Sequence, residues 1–230
     1  MKRIAWFLFL TVSIGELVSQ FIDTGWIHHV CKPLIMVSLG MLYFASVPGT
    51  RRSWIVVGAI FFSFLGDSLL MYDHLSEVYF MAGLGAFLVA QLCYIIAYRQ
   101  HRDEKRGSEI TNVQRVRLAF PVVLAGTGLV FVLYPKLGEL LIPVMLYALV
   151  LILMVLSALG RLGRTIGQSF WMVFAGAVSF MVSDSLLAIN KFLQPVGGDG
   201  IWIMLTYITA QLLIINGIIK HANHNETPYA

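Results

Sequence analysis

The chain has 230 residues, of which 58% are hydrophobic and 12% charged, with a mean hydropathy of +0.80 and a formal net charge of +4. Soluble domains are roughly 45–50% apolar and about 25% charged, so this composition excludes a water-soluble globular protein and points to the membrane. The surplus of positive charge then reports topology and attraction to anionic lipid headgroups, and no nucleic-acid partner is expected.

A helix crosses a hydrocarbon core about 30 Å thick with roughly 20 apolar residues. Eight such runs follow one another: about Ile4–Phe21, Cys31–Val47, Trp54–Met71, Val78–Tyr98, Leu118–Tyr134, Leu140–Leu159, Ser169–Ile189 and Ile201–Ile219. The opening "MKRIAWFLFLTVSIG" is expected to be an uncleaved first span, because no small-x-small cleavage site precedes Glu16. Cys31 and Cys93 lie in separate runs without CxxC spacing and are expected to be packed side chains. The longest polar segment, Arg99–Arg117, carries charges of both signs and is expected to be a connecting loop. The expected fold class is all-α: a polytopic bundle of eight transmembrane helices in a single membrane domain.

An even number of spans puts both termini and alternate loops on one side. That side holds Lys2, Arg3, Arg51, Arg52, Arg99, Arg102, Lys105, Arg106, Arg115, Arg117, Arg161, Arg164 and Lys220, while Lys32, Lys136 and Lys191 fall opposite. The positive-inside bias therefore predicts cytoplasmic termini and a multi-pass location, in the cytoplasmic membrane if the cell is bacterial.

Two acids stand inside apolar runs in matching words, Asp67 in "GDSLLM" and Asp184 in "SDSLLA". By helical rise both lie roughly 20 Å from the cytoplasmic edge, in the outer half of the membrane, where a lone carboxylate costs about 2.5–3.5 kcal/mol. Glu16 falls in the same half, and Lys32 begins the second span from that side. "AQL" recurs one span after each aspartate, at Gln91 and Gln211, and "KPLIMV" at 32–37 is echoed by "IPVMLY" at 142–147. The pattern predicts two tandem four-helix half-repeats, about 1–98 and 118–220, joined by the basic cytoplasmic loop 99–117. A pseudo-two-fold axis along the membrane normal would make Asp67 and Asp184 a facing pair.

The words "GDSLLM", "AGLGAFLVAQLCYI", "FAGAVSFMVSDSLLAINKF", "TYITAQLLI" and "CKPLIM" resemble the lysoplasmalogenase family of multi-pass membrane proteins, also called YhhN-like, over about residues 28–220. The resemblance implies eight spans and hydrolysis of the vinyl-ether bond of lysoplasmalogens, giving a fatty aldehyde and glycerophosphoethanolamine or glycerophosphocholine. It matches the family's two intramembrane aspartates to Asp67 and Asp184. One position departs from the pattern: Gln91 stands where the family usually has His, which removes proton transfer there and leaves hydrogen bonding.

Acid cleavage of a vinyl ether begins with proton addition to the β-carbon, giving an oxocarbenium ion that water captures. The step needs an acid held against the double bond and negative charge beside the developing cation. Two carboxylates in a low-dielectric cavity divide these tasks, as they do in glycosidases by analogy of reaction. The expected catalytic residues are Asp67 and Asp184. Lys32 and Lys191 are placed to meet a lipid phosphate, and Gln91, Tyr147, Asn190, Tyr207 and Gln211 to complete the substrate-binding lining. The expected partners are a lysophospholipid substrate and membrane lipids, with no cofactor and no metal.

Other chemistries fit less well. The Gly-x-Gly-Asp form of intramembrane aspartyl proteases needs Gly where Phe64 stands, and the six His fall in loops or at span ends, short of a zinc site. A proton-coupled transporter or lipid carrier remains the alternative, since tandem repeats and membrane carboxylates serve it equally; it requires acids reachable from both sides in turn.

Overall fold

The computed structural model describes residues 1–22, 25–103, 111–193 and 199–224. Lys105 and Arg106 of the expected basic loop lie outside the described residues. All regular structure among the described residues is helical, as it must be where hydrocarbon offers the backbone no hydrogen-bond partner. The α-helices are α1 (Lys2–Ser19), α2 (Gly25–Ser46), α3 (Trp54–Leu70), α4 (Glu77–Gln100), α5 (Asn112–Leu137), α6 (Leu141–Leu159), α7 (Gly167–Phe192) and α8 (Asp199–His224).

The expectation of eight spans needs correction. A 3-10 turn at Gly138–Leu140 joins α5 directly to α6, so residues 113–159 form one run that folds back at Gly138, and the described residues hold seven such helical runs apart from a short 3-10 turn at Gly49–Arg51. Five of these are long and apolar enough to cross a membrane. α3 is apolar but has only 17 residues, and α1 carries Lys2, Arg3 and Glu16 within its 18. The chain is an integral multi-pass membrane protein. The loop expected over 99–117 is also shorter: α4 runs through Arg99, and α5 begins before Arg115. Arginine is a good helix former, and Thr111 starts α5 with a capping box, its hydroxyl accepting from the Gln114 backbone N–H while the Gln114 side chain accepts from Thr111 N–H.

Contacts divide the chain into two compact units, Met1–Tyr94 and Ile95 onward, with the boundary inside α4. In the first unit α1 packs on α2, where Gly15 faces the Cys31 sulfur so closely that a Cβ would come within 2.8 Å of it. Arg52 ends α2, its guanidinium donating to the carbonyls of Val47 and Phe44 at 2.9 Å each and satisfying acceptors the helix leaves open.

In the second unit α5 and α6 form an antiparallel hairpin. Gly138, at φ +50°, takes the left-handed conformation of the turn, and Gly126 approaches Ile152 across the pair. α7 and α8 lie closer still: a Cβ on Gly176 would stand 2.8 Å from the Ala210 carbonyl oxygen and 2.9 Å from the Ile214 nitrogen. Small residues at such crossings are how membrane helices gain packing without a hydrophobic drive. Two serines lock the same pair, Ser169 donating to the Gly217 carbonyl at 2.7 Å and Ser183 to that of Ile203 at 3.0 Å.

Candidate functional site

In the first unit Asp67 occupies the last turn of α3 and is 2% exposed. Ser63, Gly66 and Asp67 recur at intervals of three and one, forming one buried face of α3. The glycine is demanded by the neighbour: a Cβ at Gly66 would lie 2.5 Å from the Phe87 ring, so α4 rests on the α3 backbone beside the aspartate. Phe87, Gln91 and Tyr94 share a buried stripe of α4 at helical spacing. The Tyr94 hydroxyl is hydrogen-bonded to Ser63 and within electrostatic reach of Asp67. Gln91 is therefore on the helix face that covers Asp67.

A third acid, Glu16, is fully buried on α1. Its Oε1 accepts from Gln20 Nε2 at 3.0 Å and meets His28 Nδ1 at 2.8 Å. Lys32 is half-buried on α2, one turn beyond His28. Glu16 is thus held by two neighbours, His28 across the α1–α2 turn and Gln20 one turn on.

In the second unit the Tyr147 hydroxyl, on α6, donates to Asp184 Oδ2, on α7, at 2.5 Å. Asp184 is half-buried, unlike Asp67. On α8, Gln211 Nε2 donates to the Tyr207 hydroxyl at 3.4 Å, and the Tyr207 ring meets Phe180 of α7 edge-on at 6.0 Å. Asn190 and Lys191 lie at the C-terminal end of α7, six and seven residues past Asp184, hence roughly 10 Å farther along the helix; Lys191 is exposed. Among the predicted site residues, this unit brings Tyr147 into contact with Asp184 and Tyr207 with Gln211. No group of three or more His, Cys, Asp or Glu is gathered for a metal ion among the described residues. Chemically, Asp67 and Asp184 are carboxyl groups in apolar helices, each with a phenol near it, which is equipment for moving protons.

Comparison with known proteins decides the kinship. The YhhN family model matches residues 27–218. The chain belongs to the YhhN family. It is 32% identical over 223 residues, 93% of this chain and 79% of the relative, to a Mycobacterium bovis protein named lysoplasmalogenase. It is 29% identical to mouse lysoplasmalogenase TMEM86B, over 86% of this chain and 77% of that one, and 30% identical to human lysoplasmalogenase TMEM86A, over 80% and 72%. No solved structure matches the chain. The YhhN match takes in every predicted site residue, from Lys32 to Gln211.

Sequence reasoning missed three neighbours of these acids. Tyr94 and Ser63 looked like ordinary apolar-span residues, although Tyr94 follows Gln91 by one turn and so shares its face. His28 was read as a span end; the clue was that a membrane acid needs a partner and the nearest polar side chain across the α1–α2 turn is a histidine.

Proposed function

We propose that this chain hydrolyses the vinyl-ether bond of lysoplasmalogens, releasing a fatty aldehyde and glycerophosphoethanolamine or glycerophosphocholine. The observation that carries the reading is kinship: YhhN membership over 27–218, with relatives named lysoplasmalogenase matching most of the chain. The intramembrane carboxyl groups support it, because vinyl-ether cleavage is proton chemistry on an amphiphile. The chain is an ether-bond hydrolase of the membrane.

Asp67 and Asp184 are the proposed catalytic pair. Asp184, accepting from Tyr147, serves as the carboxylate that faces the developing cation and orients water. Asp67, enclosed beside Phe87, delivers the proton to the β-carbon. The oxocarbenium ion then takes hydroxide from water, whose other proton passes to the carboxylate. The hemiacetal collapses with cleavage of its bond to the glycerol oxygen, which takes up a proton, and the aldehyde carbonyl forms. Lys32 and Lys191 are assigned to the phosphate, and Gln91, Asn190, Tyr207 and Gln211 to the remaining polar contacts. The distribution of Lys and Arg assigns both termini to the cytoplasm.

Purified protein in neutral detergent, given a 1-alkenyl lysophospholipid beside its 1-acyl analogue, should release aldehyde from the first and nothing from the second. In D2O the aldehyde should carry one deuterium on the carbon next to the carbonyl. Release of fatty acid from the acyl lipid, or an aldehyde without deuterium, would refute the reading.

A further inference from the structure

A second polar feature of the second unit lies apart from the acids. The end of α4, the start of α5 and the α6–α7 turn border a half-open cavity of about 410 Å³. Three guanidinium-bearing residues from three separate segments line it: Arg102 just past α4, Arg115 in the first turn of α5 and Arg164 in the α6–α7 turn. Its other walls are apolar, with Leu118, Leu156 and Leu159 among them.

The backbone carrying Arg102 and Arg164 is fixed by bonds that do not involve Asp67, Asp184 or Glu16. Asp103 N–H donates to the Arg164 carbonyl at 2.8 Å, tying the α4 end to the α6–α7 turn. Beneath them Arg161, fully buried, donates from Nε and Nη2 to the His101 carbonyl at 3.2 and 3.1 Å and from Nη2 to Ser169 Oγ at 2.9 Å. Burial lowers the Arg161 guanidinium to about 10, which still leaves it charged at neutral pH. Asp103, the acid next to Arg102 in the chain, is exposed.

We propose that this cavity binds the phosphate head of an anionic membrane phospholipid. Guanidinium forks match phosphate oxygens, and the leucines continue from them as a seat for the first methylenes of an acyl chain. A free phosphate would use the arginines and leave the apolar wall without a partner. Basic pockets at the cytoplasmic ends of membrane helices are suited to such heads, and this end of the unit is the one the Lys and Arg distribution assigns to the cytoplasm. The site is independent of the ether-bond chemistry.

The test reads lipid binding. The full chain is placed in nanodiscs of mixed phosphatidylglycerol and phosphatidylcholine, extracted, and its retained lipid measured by native mass spectrometry. Phosphatidylglycerol should be retained over phosphatidylcholine, and millimolar inorganic phosphate should not displace it. The Arg115→Gln/Arg164→Gln variant should lose about tenfold in phosphatidylglycerol affinity, and exposed Arg117→Gln far less. Equal retention of the two lipids by the unaltered chain overturns the proposal whatever the variants do. Displacement by inorganic phosphate overturns the assignment to lipid and leaves a small-anion site, and a double variant that binds like its parent overturns the assignment to these arginines.

Discussion

The Tyr147 hydroxyl and the Asp184 carboxylate, 37 residues apart in the chain, are joined across α6 and α7 by a hydrogen bond of 2.5 Å. A phenol in that position fixes the rotamer of the carboxylate and shares its charge. Hydrogen bonds to charged groups contribute about 1.5–3 kcal/mol, which corresponds to a factor of roughly 10–100 when the charge matters in the transition state. Tyr147→Phe should therefore lower kcat for aldehyde release by about that factor while KM changes little. A rise in KM at constant kcat would make Tyr147 a binding contact instead.

Glu16 is predicted to be a structural acid. Its carboxylate is buried with His28 and Gln20, and removing one partner of a buried pair costs more than removing both. His28→Leu should destabilise the protein by about 1–3 kcal/mol, and adding Glu16→Leu should restore part of the loss. Thermal unfolding in detergent measures both. If the double variant is less stable than the single one by the full cost of Glu16→Leu alone, the two side chains are not coupled.

The α7–α8 contact leaves no room at Gly176, where a Cβ would meet backbone rather than a side chain able to turn away. Gly176→Ala should cost about 1–3 kcal/mol, and Gly176→Val more. Gly85, with open space where a Cβ would stand, is the control, and Gly85→Ala should be neutral or stabilising. Equal melting temperatures for the Gly176 and Gly85 variants would contradict the packing described.

Much of this was legible beforehand. Apolar runs located the helices because hydrocarbon leaves the backbone no other structure, and the repeated "DSLL" and "AQL" words marked the buried Asp67, Gln91 and Gln211. The spans were less legible. Hydropathy averages cannot register that a 3-10 turn joins α5 to α6, or that Lys2, Arg3 and Glu16 share one short helix. Side-chain partners were hidden for a different reason: the Tyr147–Asp184 contact depends on how α6 and α7 pack, and nothing local to "VMLYA" announces it. Arg161 shows the same limit. It counted as one more basic residue at a cytoplasmic turn, yet it is fully buried and bonded to His101 and Ser169.

Acid should weaken the second unit through His101. Burial, reinforced by the charge on Arg161 and opposed by the bond to Ala97, holds its imidazole below the ordinary 6.5, and the neutral ring donates from Nδ1 to the Ala97 carbonyl at 2.9 Å. The unfolded chain then binds the proton that the folded chain refuses, so stability is full above about pH 6.5 and falls as the pH drops through it. Melting temperature followed from pH 8 to pH 5 should decline below that point, and His101→Asn should flatten the decline. An unchanged slope in the variant would assign the acid sensitivity elsewhere.

The central claim is that Asp67 and Asp184 carry the proton chemistry, and single Asp→Asn replacements test it most directly, since they keep shape and remove the exchangeable proton. Aldehyde release from an alkenyl lysophospholipid is to be measured for the parent, Asp67→Asn and Asp184→Asn, each first checked for an unchanged melting profile. Each replacement should reduce turnover by about a thousandfold or more, with the lipid still bound. Near-parental rates in either folded variant would contradict the claim.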